Sequence, residues 1–293
     1  MNIVLKPSKK QIEEIKKDFA PFEYKKKQPY MVFFAKAPQC NISIYTSGKV
    51  MFQGAKASNI ASKYGYENKQ VDKKQINMVG TDEVGNGSYF GGLAVVASYV
   101  KEEDIPLLIK LGVDDSKNLT DEKILEIAPI LEKSIENVQL LVSPKKYNEV
   151  IKSGYNAVSI KVALHNQSIF LLEQKLNNNL IDKIIIDAFT TENNYKKYLA
   201  KEKNQVKHDI FLIEKAESQY LAVAVSSIIA RKLFLDNLKN LSKTIGYTLP
   251  SGASAKSDYV ASQIIKNHGL ESLNTLAKLH FKNTDKARKL AEH

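Results

Sequence analysis

The chain has a single cysteine, Cys40, in 293 residues. An internal disulfide is therefore excluded, and with it the small secreted scaffolds held by such bridges; the expected compartment is the cytoplasm. No apolar run approaches the roughly 20 residues needed to cross a bilayer. The opening MNIVLKPSKK lacks the apolar stretch of a secretory signal, so no membrane partner is expected. Arginine is nearly absent: Arg231 and Arg288 are the only two. Lysine is a point charge rather than a bidentate fork, so a lysine surface suits phosphate contacts better than base-edge reading. No Gly-x-x-x-x-Gly-Lys-Ser/Thr stretch exists, which argues against a P-loop ATPase. The five histidines are scattered, without zinc spacing. There is no internal repeat and no low-complexity tract.

What is present is unevenly spread. Apolar residues make up 43% of the chain, enough for a proper core, and the net charge is +11. Residues 1–70 carry thirteen lysines against five acids, a surplus of eight, and the remaining 223 residues supply only three. A basic segment joined to a nearly balanced one points to a polyanion-binding module attached to something else. Ser8 and Gln11 form a capping-box pattern ahead of a helix over 9–20. Strands are expected over 2–5, 30–35, 42–46 and 50–53, with Ser47-Gly48 turning the last two into a hairpin, and a helix over 55–64. This is a small α+β unit over 1–65. Tyr30, Phe33, Tyr45 and Phe52 are its sheet aromatics, most of them expected in the core, with any on a free face able to stack on sugars or bases. The polar stretch 66–75 reads as a linker, and a second domain runs over 76–293.

The second domain opens on MVGTDEVGNGSYFGG. Asp82 and Glu83 end an apolar run, a glycine turn (Gly85, Asn86, Gly87) follows, and residues 93–100 form another apolar run. The pattern is strand, turn, strand, with two acids beside backbone that can approach a ligand closely. A strand entering a helix would suit a dinucleotide; here a second strand follows. The β-branched run KIIID ends in Asp187, at the strand terminus where open α/β sheets bind ligands. Glu217 stands ahead of a helix over 218–241 dense in small apolar residues, where the helix dipole stabilises a carboxylate. Helices are also expected over 105–111, 120–131, 147–151, 157–176, 257–267 and 270–278, with a basic helix in the tail, and strands over 138–142 and 208–213. Carboxylates without histidine or cysteine prefer Mg²⁺ or Mn²⁺. Two such ions about 4 Å apart clamp the attacking and leaving oxygens of a phosphoryl displacement.

The segments GTDEVGNG, DDSKNLT, IIIDAF, KAESQYLAVAVSSIIAR and AKLHFKNT, in this order, resemble the type-2 ribonuclease H family, specifically its HIII group. The basic first domain, through ISIYTSGKVMFQG, is similar to that group's TATA-binding-protein-like substrate-binding domain. The resemblance implies an α/β, RNase H-like five-stranded mixed sheet flanked by helices. It implies a monomer, with no obligate protein partner, that cuts the RNA strand of RNA–DNA hybrids and leaves 3′-hydroxyl and 5′-phosphate ends. It places Asp82, Glu83, Asp187 and Glu217 on the four metal-binding and catalytic acids, with glutamate at the fourth as in HIII. Gly85, Asn86, Gly87, Ser116 and Lys117 fall on substrate-binding positions. Asn86 stands where the HII group has arginine, which favours runs of ribonucleotides over a single one. His165, Asn166, His280 and Asn283 also match family motifs; packing and helix-end hydrogen bonding are the expected roles. Two other readings stay open: a DNA-directed nuclease of the same fold, and a non-catalytic nucleic-acid-binding protein.

Overall fold

The computed structural model describes residues 2–24, 29–54, 56–65, 77–113, 119–176 and 181–292. Two compact units divide the chain, Met1–Gln70 and Val71–His293.

The first unit runs β1 (Asn2–Leu5), α1 (Lys9–Phe19), β2 (Met31–Ala37), β3 (Cys40–Tyr45), β4 (Val50–Gln53) and α2 (Ala57–Ala61). The four strands form an antiparallel sheet in the order β1-β4-β3-β2. The capping box is made: Ser8 Oγ accepts from Gln11 N, and Ser8 N donates to the Gln11 side chain at 2.9 Å. Gly48, at φ +76°, closes the β3–β4 hairpin. Alternation along the strands sends Phe33, Ile42, Ile44 and Phe52 inward onto Ile15 of α1. The other face leaves Val4, Tyr30 and Val32 more than half exposed. The helix expected over 55–64 is shorter, because a 3₁₀ turn at Ser62–Tyr64 takes over and ends on Gly65 at φ +89°.

The second unit comprises β5 (Met78–Val84), β6 (Leu93–Val100), α3 (Ile105–Leu111), α4 (Asp121–Ser134), β7 (Glu136–Val142), α5 (Pro144–Lys152), α6 (Ala157–Leu176), β8 (Lys183–Asp187), α7 (Glu192–Leu199), β9 (Ile210–Ile213), α8 (Leu221–Ile245), α9 (Ala255–His268) and α10 (Asn283–Ala291). Its sheet has the order β7-β6-β5-β8-β9. β7, β6 and β5 are antiparallel neighbours, whereas β5, β8 and β9 are parallel. This is the expected mixed five-stranded sheet. Both faces are covered. Ile185, Val96 and Met78 face a core built with α4, α8 and α9. Ile184, Ile186, Val79 and Ala97 face α6 and α7. Among the described residues no helix is long and apolar enough to cross a membrane.

Three local features differ from expectation. α7 is an additional helix; Thr191 caps it, its Oγ accepting from Asn194 N. α8 begins at Leu221, because Ala216–Ser218 forms a separate 3₁₀ turn. The helix expected over 270–278 is a 3₁₀ turn at Leu270–Thr275, after which Ala277 forms an antiparallel bridge with Phe90. Tertiary pairing there outweighs the helical spacing of Leu270, Leu273 and Leu276.

Candidate active site

β5 and β8 set the site. Thr81 pairs with Ile186 in parallel register, so the next residues, Asp82 and Asp187, emerge together at the carboxyl ends of adjacent central strands. α8 crosses β5 at close range. A Cβ on Gly80 would collide with the backbone of Ala222 and Val223, and Ser226 Oγ donates to Gly80 O at 2.8 Å. That contact explains the small residues at the start of α8: larger ones would lift the helix off the strand.

Asp82 is 8% exposed. Its Oδ1 accepts from Glu83 N at 2.7 Å, and Ser227 of α8 donates to the same carboxyl. Asp187 Oδ1 accepts from Ala216 N at 2.8 Å. The hydrogen bond that finishes β8 thus also places the neighbouring Glu217, which shares a side-chain hydrogen bond with Asp187. Burial, the Glu83 charge and the nearby Asp187 push Asp82 up to about 8. Burial and Glu217 push Asp187 up to about 6. Mutual electrostatic influence links 82 with 83, 82 with 187, 83 with 187, and 187 with 217. The four acids, from three separate stretches of the sequence, are drawn to one end of the sheet.

Glu83 is held differently. Lys161 Nζ donates to Oε1 at 2.8 Å, and His165 Nε2 meets Oε2 at 2.9 Å. The other ring nitrogen of His165, Nδ1, contacts Thr81 Oγ1 at 2.5 Å. Phe189 stacks on the imidazole with centroids 4.9 Å apart and lies 4.1 Å from the ammonium. Burial alone would raise the Glu83 pKa, but His165 and Lys161 outweigh it and leave the group below its ordinary value. Lys161 and His165 are neighbours at i,i+4 on α6. The sequence does not single out Lys161, and His165 reaches beyond packing to the acids. The signal available is that pair: a lysine and a histidine one turn apart on a long, largely apolar helix.

The donor set fits a hard divalent cation: four carboxylates, at least two of them destabilised as anions by burial and by each other. The geometry is not a finished cage. Among the described residues no three such side chains converge tightly enough to hold an ion as they stand, and both Glu83 oxygens already have partners.

The glycine turn lies beside this cluster. Gly85 has φ +105°, and a Cβ there would collide with Gly92 O, so no other residue fits. Asn86 and Gly87 form its exposed apex, while Ser88, Tyr89 and Phe90 are buried. Ser116 and Lys117 lie outside the described residues. Asn166 braces a loop, donating to Asn204 O at 2.6 Å and accepting from Val206 N. His280 stacks on Tyr147, and Asn283 donates to Ala253 O and to Asp258 in the first turn of α9. The last three thus serve packing and local bracing.

Comparison with known proteins agrees with this architecture. A family model described as Ribonuclease HII matches residues 79–284, and one described as a domain of unknown function (DUF3378) matches residues 2–77. A Ribonuclease HIII of Lactococcus lactis subsp. lactis is 58% identical over 100% of both chains. One from Streptococcus pneumoniae is 55% identical over 99% of both. The crystal structure of Bst-RNase HIII in complex with Mn²⁺ aligns with a TM-score of 0.74 and 34% identity, covering 100% of this chain and 99% of that one. The chain belongs to the ribonuclease HIII family of endonucleolytic hydrolases.

Proposed function

We propose that the protein cleaves the RNA strand of RNA–DNA hybrids by divalent-metal-dependent hydrolysis, acting as a monomer. The observation that carries this reading is the gathering of Asp82, Asp187 and Glu217 at one sheet end, with Glu83 beside them. These four would hold Mg²⁺ or Mn²⁺, as one ion or a pair. Bound there, the metal supplies Lewis-acid polarisation of the phosphate and a more acidic water. The Bst relative, crystallised with Mn²⁺, supports the choice of ion class.

The chain's own groups do the rest. Asp82 and Asp187, packed on the sheet ends, fix where the scissile phosphate must sit. Lys161 and His165 hold the Glu83 carboxylate in one orientation. Water oxygen bonds to phosphorus as the P–O3′ bond breaks, and the departing oxygen takes up a proton; the products are a 3′-hydroxyl and a 5′-phosphate. The exposed Asn86–Gly87 apex offers backbone groups to a 2′-hydroxyl, the mark that separates RNA from DNA. No arginine stands in this turn, which favours runs of ribonucleotides over a single one. Ser116 and Lys117 are assigned to the substrate backbone. The basic first unit grips phosphates without reading sequence.

The test is digestion of a labelled RNA–DNA hybrid with Mg²⁺ or Mn²⁺, next to a duplex holding one ribonucleotide and an all-DNA duplex. Cuts with 3′-hydroxyl ends in the hybrid, few in the second and none in the third, are expected. Cleavage of the all-DNA duplex would favour a DNA-directed nuclease. No cleavage of any substrate would favour a binding protein.

A further inference from the structure

Lys278 is fully buried, yet among the described residues it is paired with no carboxylate. Its Nζ donates to Gly91 O at 2.6 Å and Gly92 O at 3.3 Å. The aromatic rings of Tyr147 and Phe281 lie about as close as a weak cation–π contact allows, at 5.9 and 6.0 Å. Burial lowers its pKa to about 7. A lysine placed this way is unfavourable to fold around, and stability alone gives no reason for it.

What it holds is the far limb of the glycine turn. Gly91 N donates to Leu276 O, and Lys278 N donates to Tyr89 O, so the strand-like piece 276–278 pairs with the limb. Tyr89 N donates to Gly252 O, and Gly252 N to Ser88 Oγ. From α8, Asn237 Oδ1 accepts from Gly92 N at 2.9 Å. Gly92 O, one of the two carbonyls under Lys278, is also the atom that a Cβ on Gly85 would strike first. Through that close approach the Gly92 carbonyl borders Gly85, the residue next to the exposed apex Asn86–Gly87.

We propose that Lys278 is a positioning residue for the Gly85–Gly92 turn, fixing two successive carbonyls from behind so that the Asn86–Gly87 apex meets the ribonucleotide strand in one shape. This rests on the proposed reading of the turn as the hybrid-facing element. The C-terminal segment is then the template against which the substrate-reading turn is cast.

The test compares wild type with Lys278→Met in the full chain. Methionine keeps most of the volume and removes the donor. Four quantities are measured: melting temperature, hybrid affinity by fluorescence anisotropy in EDTA, and steady-state KM and kcat on the hybrid. The variant is expected to melt at or above the wild-type temperature. Its hybrid affinity falls and its KM rises by roughly tenfold, the order of one lost positioning hydrogen bond, while kcat changes less than KM and affinity for all-DNA duplex is unchanged. Asn237→Ala, which removes the support at Gly92 N, is expected to shift KM in the same direction by a smaller factor. Wild-type KM in Lys278→Met overturns the assignment. So does a variant that unfolds, or one that loses hybrid and all-DNA binding alike, since the lysine would then be holding the fold. A wild-type protein that fails to cut hybrid defeats the proposed function itself; a wild type that cuts, with a Lys278→Met that binds as well, defeats only the role of Lys278.

Discussion

The two units place their exceptional residues in opposite ways. The second buries ionisable groups: Asp82, Lys161, His165, Glu173 and Lys278 are each at most 8% exposed. The first exposes apolar surface: Val4, Val32 and Tyr30 are 56%, 54% and 77% exposed, on the sheet face away from its helices. Tyr30, Tyr45 and Met51 line a shallow depression there with Lys49. Buried charge is unfavourable for folding and useful for chemistry, because low dielectric strengthens electrostatic effects on a reacting group. Exposed apolar surface beside lysines is useful for holding a polyanion with stackable bases. The proposed function gives chemistry to one unit and grip to the other, and each side can be broken separately.

The largest effect is expected from Asp82→Asn. It removes the charge proposed to bind the metal while leaving the shape of the carboxyl group, so cleavage of hybrid should fall by about a thousandfold or more, a loss of the order seen when a key electrostatic group is removed. Stability should move the other way. Burial and the Glu83 charge push Asp82 up to about 8, far above its ordinary value of 3.8. A raised carboxyl contributes stability that is fully present below its unfolded pKa and lost as pH climbs through the folded one. In EDTA the wild type should therefore weaken steadily from about pH 4 to pH 8, and Asp187, raised to about 6, adds a loss of the same sign. The carboxamide of the variant does not ionise, so the variant should lose less and be more stable at pH 8 by roughly 2–4 kcal/mol. Denaturant melts of both proteins across that range check this. Equal pH dependence in the two would mean that Asp82 is not the strained anion of the cluster.

Next comes removal of residues 1–65. The second unit has its own cores, which draw on residues 78 to 287, so the truncated protein should fold. Its KM for hybrid should rise by roughly tenfold or more at 0.1 M salt, with a shallower dependence of log KM on log salt, because phosphate contacts have been lost. Turnover at saturating substrate should change far less. A truncated enzyme that binds as tightly as the whole would move the grip to the second unit.

The same contrast explains what can be read in the sequence. Asp82, Glu83, Asp187 and Glu217 are legible because each stands where an apolar run stops or a buried helix is about to start, and strand ends of a parallel sheet are where ligands bind. The aromatics of the first unit are only half legible: alternation along β2 to β4 puts Phe33 and Phe52 inside, but Tyr30 precedes the strand and falls outside it. Lys161 and His165 are not legible as partners of Glu83, because nothing local distinguishes them from other residues of a long helix and the contact spans 82 positions. The pairing of 276–278 with the glycine turn is hidden for the same reason. Leucines at helical spacing point to a helix, and the partner that overrides them lies 187 residues earlier.

The smallest expected effect concerns Tyr30, and it asks whether exposed rings share in the grip or lysines supply all of it. Tyr30 sits at φ +66°, where a non-glycine residue is strained, and its carbonyl accepts from Thr46 N at 2.8 Å. Tyr30→Gly removes the ring and relieves that strain, while the added freedom of the unfolded chain offsets the gain; the two terms are each of the order of 1 kcal/mol. The melting temperature should hardly move. Hybrid affinity, measured by anisotropy at fixed salt, should fall by about two- to fivefold, within what one base–aromatic stack contributes, and the salt slope should stay as it was because no charge is lost. An unchanged affinity would leave the exposed face without a stacking role and assign the grip of the first unit to its lysines alone.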